Sequence, residues 1–167
     1  MVAYLMILPA RLNNTFDYIS GLYESGVHDP KVHFSGEVFD TGLFTIKAMT
    51  LDGKILKAER PERKILFLGD SITAGFGVRG DSKDCQYNPS TNAPLKAYAA
   101  LTAKTLGADA HLIAISGRGV VHNWDANPAP VIPAQIDFAL PDDTAGPLWN
   151  HDKFQADVVV VTLGTND

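Results

Sequence analysis

The chain has 167 residues, 46% hydrophobic and 20% charged, which is typical of a globular protein with a buried core and excludes a disordered chain. The formal net charge is -5, and the 14 lysines and arginines form no basic stripe, so we expect no nucleic-acid partner. The single cysteine, Cys85, excludes an internal disulfide and a cysteine-based metal cage, and we expect a buried, unreactive thiol.

The chain begins with an apolar run that ends at Pro9. The run is too short to span a membrane and lacks the basic start of a secretory signal. It therefore predicts a buried strand or helix segment, and we expect no membrane partner.

Residues 15–57 contain short strand-like runs, chiefly 31–39 and 43–51, separated by glycine and Asp-Pro or Asp-Gly turns. This pattern predicts antiparallel strands. Two or three strands are too few to fold reliably alone. A charged, proline-containing junction at 58–64 follows, and we place the domain boundary there, giving a β-rich domain at 1–58 and a second domain at 59–167.

After Lys64 the pattern alternates between strands and helices. Continuous apolar runs predict buried parallel strands at 65–69, 110–116 and 156–164. An Ala- and Leu-rich segment predicts a helix over 93–107, with Asn92 as a cap, Pro94 in the first turn and Gly107 at the end. A second, short helix is expected at 134–139. The sequence thus predicts an α/β fold with an open parallel sheet, covered on both faces and wound right-handed.

A polar, glycine-bearing loop follows each of these strands, at 69–71, 116–119 and 164–167. Ligands bind where the carboxyl ends of parallel strands meet. The first loop offers the Ser71 hydroxyl, the second offers backbone N–H groups beside its glycines, and the third offers a side-chain amide, which are the groups that acyl transfer needs. Each loop taken singly is explained by a turn or a helix cap. Three such loops at three strand ends favour a site.

Three better-known glycine motifs do not fit the first loop. The Walker pattern fails because five residues separate Gly69 from Gly75 and Phe76 replaces the lysine. The dinucleotide fingerprint fails because its glycines come too late after the strand. The lipase elbow G-x-S-x-G fails in register around Ser71.

The blocks GDSIT (69–73), ISGRG (115–119) and GTND (164–167) resemble, in order, the first three blocks of the SGNH or GDSL-type hydrolases. The longer stretches ERPERKILFLGDSITAGFGV and FQADVVVVTLGTND are similar to the family-2 carbohydrate esterases, the acetyl xylan esterases. The resemblance implies a three-layer, flavodoxin-like parallel sheet, incomplete at its C-terminal end, after a remnant of a jelly-roll-like β-sandwich. It also implies a secreted enzyme that removes acetyl groups from polysaccharide without a metal or cofactor.

Within this resemblance Ser71 matches the nucleophile, and its N–H group matches the first oxyanion donor. Gly117 matches the second donor through its N–H group, and Asn166 the third through its amide. Asp70 does not match a catalytic acid, and we expect it to hold the loop by hydrogen bonds.

The family's general base is a histidine in a D-x-x-H block well past GTND, and this sequence does not contain that block. We therefore interpret the chain as about the middle half of a two-domain esterase. Its five histidines all precede the third block: His28, His33, His111, His122 and His151. His151 is a less favoured alternative for the base, and we expect His122 to be solvated or to face the substrate.

Two hypotheses remain, a serine esterase and a catalytically inactive fragment that is either carbohydrate-binding or vestigial. Trp124 and Trp149 flank the proline-rich segment and could stack on sugar rings, or could simply pack. We expect no metal site, because no close cluster of His, Cys or carboxylate ligands occurs.

Overall fold

The structure is a computed structural model that describes residues 2–9, 20–22, 44–50, 60–86, 88–139 and 145–167. The chain divides into two compact units, Met1–Glu59 and Arg60–Asp167. Among the described residues, no helix is long and apolar enough to cross a membrane.

In the first unit the apolar run before Pro9 is strand β1 (Val2–Pro9). It pairs antiparallel with β2 (Ser20–Leu22) on one side and with β3 (Phe44–Thr50) on the other. The expected strand at 31–39 lies outside the described residues, and the one expected at 43–51 corresponds to β3. The assignment of this unit to a jelly-roll-like domain stays a prediction.

The second unit contains a parallel sheet of β4 (Lys64–Gly69), β5 (Asp109–Ala114) and β6 (Val158–Thr162). The strand order is β5-β4-β6, with β4 central. The three predicted strands and their parallel pairing are therefore confirmed. Because the strands run in one direction, the loops that follow them meet at one edge of the sheet.

The longest helix, α2 (Tyr98–Leu106), ends at Gly107 as predicted, with φ +58° at that glycine. It begins five residues later than predicted. Pro94–Lys96 form a separate 3₁₀ turn, and Ala97 is extended and is the N-cap. Asn92 does not cap this helix, because its side chain accepts the N–H of Gly77 at 3.1 Å.

Two single-turn α-helices also lie in this unit, α1 (Ser71–Ala74) and α3 (Ile132–Gln135). The short helix was predicted at 134–139 and lies farther upstream. Pro133 explains the shift, because a proline is tolerated in the first turn of a helix, where its missing N–H group has no intrahelical partner.

A small core joins the sheet to α2. Ile65 and Phe67 from β4 pack against Ala99 and Ala103, which share one face of the helix four residues apart. Phe67 is 1% exposed and contacts the ring of Tyr98 edge-on, with 6.0 Å between centroids. Burying such a ring stabilises the fold by about 1.5–3 kcal/mol.

Strand β6 is incompletely covered by the residues that the structure describes. Val158, Val159 and Val161 are each more than half exposed. Successive side chains of a strand point to opposite faces, so neither face of β6 is fully covered.

The expectation for Cys85 is also wrong, because its thiol is exposed. The N–H of Ser82 donates to Sγ at 3.2 Å, and this hydrogen bond lowers the pKa of the thiol. The polar loop around it contains no apolar cluster that could bury the sulfur.

Candidate active site

Ser71 is the first residue of α1, directly beyond the end of β4. Asp70 caps this helix and is fully buried, and its Oδ1 accepts the N–H of Ile72 at 3.0 Å. Ser71 is half-buried, and its hydroxyl makes no hydrogen bond with any residue that the structure describes. Its N–H group begins the helix and so has no intrahelical acceptor. Both groups are therefore available to a ligand.

A chain of hydrogen bonds between three hydroxyl groups, which we call the hydroxyl relay, holds α1 in place. The Tyr98 hydroxyl donates to Oγ1 of Thr162 at 2.8 Å, so the Thr73 hydroxyl, 3.0 Å away, donates to Tyr98. Gly69 makes room for this packing, since a Cβ there would collide with the Thr73 side chain. The relay thus links the helix that carries Ser71 to α2 and to β6.

Replacing Tyr98 with phenylalanine is expected to destabilise the fold by about 1–3 kcal/mol, because the buried Thr73 hydroxyl loses its partner. Urea denaturation would measure the loss. In a double-mutant cycle with Thr162→Val, the two changes together should cost less than their sum, because both partners are then removed. Simple additivity would contradict the relay.

Gly117 lies in the loop that follows β5, with φ +75°, a conformation that glycine adopts without strain. Its carbonyl accepts the N–H of Trp124 at 2.8 Å. Its own N–H group makes no hydrogen bond within the described part of the chain. The loop therefore presents a free backbone donor.

Asn166 connects the first two loops. Its Nδ2 donates to the Arg118 carbonyl at 2.8 Å and approaches Oδ2 of Asp70 at 3.4 Å. The longer contact is weak by distance. One amide hydrogen is thus firmly held, and the other can turn to a ligand. Ser71, Gly117 and Asn166 are brought together through the residues beside them.

Asp167 organises the second loop, a role that was not predicted from the sequence. Its carboxylate accepts the N–H groups of Val120 at 3.0 Å, Val121 at 2.6 Å and His122 at 2.9 Å. The N–H of Val120, followed by those of His122 and Val121, lowers the pKa of Asp167 from its ordinary value. Three successive donors on one carboxylate favour its ionised form.

Because this pKa is lower in the folded state, the stabilisation that Asp167 provides is present above its unfolded-state pKa of about 4 and is lost as the pH falls through the folded value. Asp167→Asn should therefore be less stable than the parent at pH 7, and the difference should shrink below about pH 4. Urea midpoints at pH 7 and pH 3 would measure this. Asp84→Asn, in an exposed loop, is the control, and a pH-independent difference for Asp167→Asn would contradict the assignment.

Residues 67–167 match the family model described as GDSL-like Lipase/Acylhydrolase. The chain belongs to this family. The matched region contains all three strand-end loops, and the resemblance to SGNH or GDSL-type hydrolases is confirmed.

Family relatives are carbohydrate esterases. A cellulase/esterase, CelE, of Acetivibrio thermocellus is 43% identical over 116 residues, which are 69% of this chain and 14% of that protein. An acetylxylan esterase / glucomannan deacetylase of Cellvibrio japonicus is 37% identical over 153 residues, 86% of this chain and 40% of that protein. A solved family two carbohydrate esterase from Clostridium thermocellum, in complex with cellohexaose, is 38% identical with a TM-score of 0.64, covering 74% of this chain and 37% of that one. The chain thus spans less than half the length of these relatives.

None of the described histidines contacts Ser71 in this GDSL-like chain. His151 pairs with Asp137, with 2.9 Å between Nε2 and Oδ1, ahead of β6. His111 contacts Trp149 and Phe154, and burial, followed by repulsion from His151, lowers its pKa. His122 is exposed on the loop that Asp167 holds. His28 and His33 lie outside the described residues.

The two tryptophans lie in different places. Trp124 is 67% exposed and adjoins Gly117. Trp149 contacts His111, which pairs with Leu66, roughly 10 Å before the end of β4. The structure therefore places Trp124, and not Trp149, beside the strand-end loops.

Among the described residues, no group of three or more His, Cys, Asp or Glu side chains could hold a metal ion.

Proposed function

We propose that this chain is part of a serine esterase that removes acetyl groups from carbohydrate. The observation that carries the proposal is the meeting of a free Ser71 hydroxyl, free N–H groups on Ser71 and Gly117, and the Asn166 amide. The acetylxylan esterase and deacetylase names of the relatives supply the substrate class.

In the proposed reaction Oγ of Ser71 attacks the carbonyl carbon of the acetyl ester and loses its proton to a general base. The carbonyl oxygen becomes an oxyanion that accepts hydrogen bonds from the three donors. Collapse breaks the bond to the sugar oxygen, which takes the proton from the base, and leaves acetyl-serine. Water, deprotonated by the same base, then releases acetate and restores the hydroxyl.

The base is proposed to be a histidine in the part of the relatives that this chain does not match. A serine hydroxyl is a weak nucleophile at neutral pH without such a partner. The test compares acetate release from acetylated xylan by this 167-residue chain and by a version extended through downstream coding sequence. Activity only in the longer protein supports the proposal. Activity in the short chain that depends on Ser71 would place the base among the histidines present or on a partner chain.

Carbohydrate binding without catalysis is the second candidate function, and the exposed Trp124 beside Gly117 favours it. Calorimetric titration with xylo-oligosaccharides tests it directly. Heat that disappears in Trp124→Ala, in an extended protein that releases no acetate, would support binding alone. No heat from the parent would count against it.

A further inference from the structure

A concave site lies away from the strand-end loops. It is a pocket of about 630 Å³ lined by residues of the second unit, Arg60, Asp109, Ala110, His111, Trp149, Lys153 and Phe154. We call it the His111 pocket. Its volume falls in the range of small-molecule sites.

The sheet separates this pocket from α2. Ala110 and Leu112 pack into the core with α2, and successive side chains alternate, so His111 lies on the opposite face. His111 also pairs with Leu66, well before the strand ends that carry Ser71. The His111 pocket is therefore distinct from the candidate active site.

The aromatic wall of the pocket is well fixed. His111 contacts Trp149 edge-on at 5.0 Å and Phe154 at 5.2 Å between ring centroids. The backbone N–H of Trp149 donates to the carbonyl of Asp137 at 2.8 Å, which fixes the backbone that carries the indole. A fixed, half-buried indole is a suitable platform for the C–H face of a sugar ring.

The polar groups of the pocket point to an anionic ligand with hydroxyls. Arg60 and Lys153 are both exposed cations, and Lys153 Nζ lies 5.9 Å from the Trp149 ring centroid, a loose contact that a ligand can replace. Oδ2 of Asp109 is buried without a hydrogen bond, 3.7 Å from the Arg60 guanidinium. A buried acceptor without a donor is rare in folded proteins.

We infer that the His111 pocket binds a sugar that carries a carboxylate, with its ring on Trp149, its carboxylate between Arg60 and Lys153, and a hydroxyl donating to Asp109. The choice of a sugar rests on the proposed function. The choice of a carboxylate rests on the two cations. A chain with this specificity would engage acidic branches of a polysaccharide away from the acetyl group that Ser71 attacks.

The two tryptophans of the chain give separate reporters, because each contributes one indole N–H signal to a proton–nitrogen correlation spectrum. Trp124→Phe assigns them. Xylotriose bearing one glucuronic acid branch is titrated in parallel with unbranched xylotriose. We expect the branched sugar to shift the Trp149 signal with at least a tenfold lower dissociation constant, and added salt to weaken this binding.

Lys153→Gln should remove most of the preference for the branched sugar, while Lys83→Gln, an equal charge change in an exposed loop, should leave it intact. Equal affinity for both sugars, a shift confined to Trp124, or a preference that survives Lys153→Gln would overturn the inference. Neither probe carries an acetyl group, so the outcome does not depend on acetate release. An extended protein that releases no acetate but shows the shift would refute the esterase proposal alone.

Discussion

Replacing Ser71 with alanine, in the extended protein that releases acetate, is expected to lower the rate by roughly 10⁴-fold or more. The substitution removes the oxygen that forms the acetyl-enzyme, and nothing in the neighbouring residues replaces it. Thr73, the next hydroxyl along α1, is fully buried and points to Tyr98. The residual rate should be that of the oxyanion donors acting on water alone.

Release of acetate from acetylated xylan and of nitrophenol from nitrophenyl acetate would both be measured. Ser82→Ala makes the same chemical change in an exposed loop and should leave the rate unchanged. Ser71→Ala should also keep the unfolding midpoint of the parent, since the hydroxyl makes no hydrogen bond with a described residue. A variant that retains a substantial fraction of the parent rate would exclude Ser71 as the nucleophile.

The parallel sheet could be predicted because each of its strands is marked by a pattern within a short stretch of sequence. Each strand is a continuous apolar run bounded by polar residues, and glycine follows two of the runs at Gly69 and Gly164. The parallel direction then fixed which loops meet. The prediction that Ser71, Gly117 and Asn166 come together rested on the positions of these strand ends. The GDSIT, ISGRG and GTND motifs supported the same prediction.

The features that could not be predicted from the sequence depend on contacts between residues far apart in the chain. Helix α2 begins later than predicted, and Asn92, the predicted cap, accepts a hydrogen bond from Gly77 and not from the helix. The Tyr98 relay joins residues 64 positions apart, and Asp167 reaches a loop 45 to 47 positions upstream. The hydrophobic periodicity of the sequence carries no information on such long-range hydrogen-bonded pairs. The aspartate of GTND was a visible signal for the second case, since a carboxylate beside a glycine-rich loop is an acceptor for its free N–H groups.

The position of Trp149 illustrates the same limit. The sequence places it beside a proline-rich segment near the expected cleft. From the sequence alone, Trp149 could either stack on a sugar ring or pack against neighbouring residues. Only the register of His111 with Leu66 shows that this indole lies on a different part of the sheet from Trp124. A role for Trp149 at the cleft therefore has less support than a role in the His111 pocket.

Replacing Asn166 with alanine is expected to lower kcat by about 10²–10³-fold, with little change in KM, because an oxyanion donor acts mainly in the transition state. Asn166→Asp should be slower still. It places a second carboxylate near Asp70 and turns a negative charge towards the developing oxyanion. Steady-state kinetics with nitrophenyl acetate would measure both variants.

Asn166 also holds the Arg118 carbonyl, so a purely structural role must be separated from a catalytic one. The two roles differ in what each variant loses. If the residue only holds the loop, kcat and the unfolding midpoint should fall together in both variants, and KM should rise as Gly117 moves. If it stabilises the oxyanion, kcat should fall far more than the midpoint predicts, with Asn150→Ala as an unaffected exposed control. The weak 3.4 Å contact with Asp70 favours the second outcome, because it leaves one amide hydrogen free to meet the oxyanion.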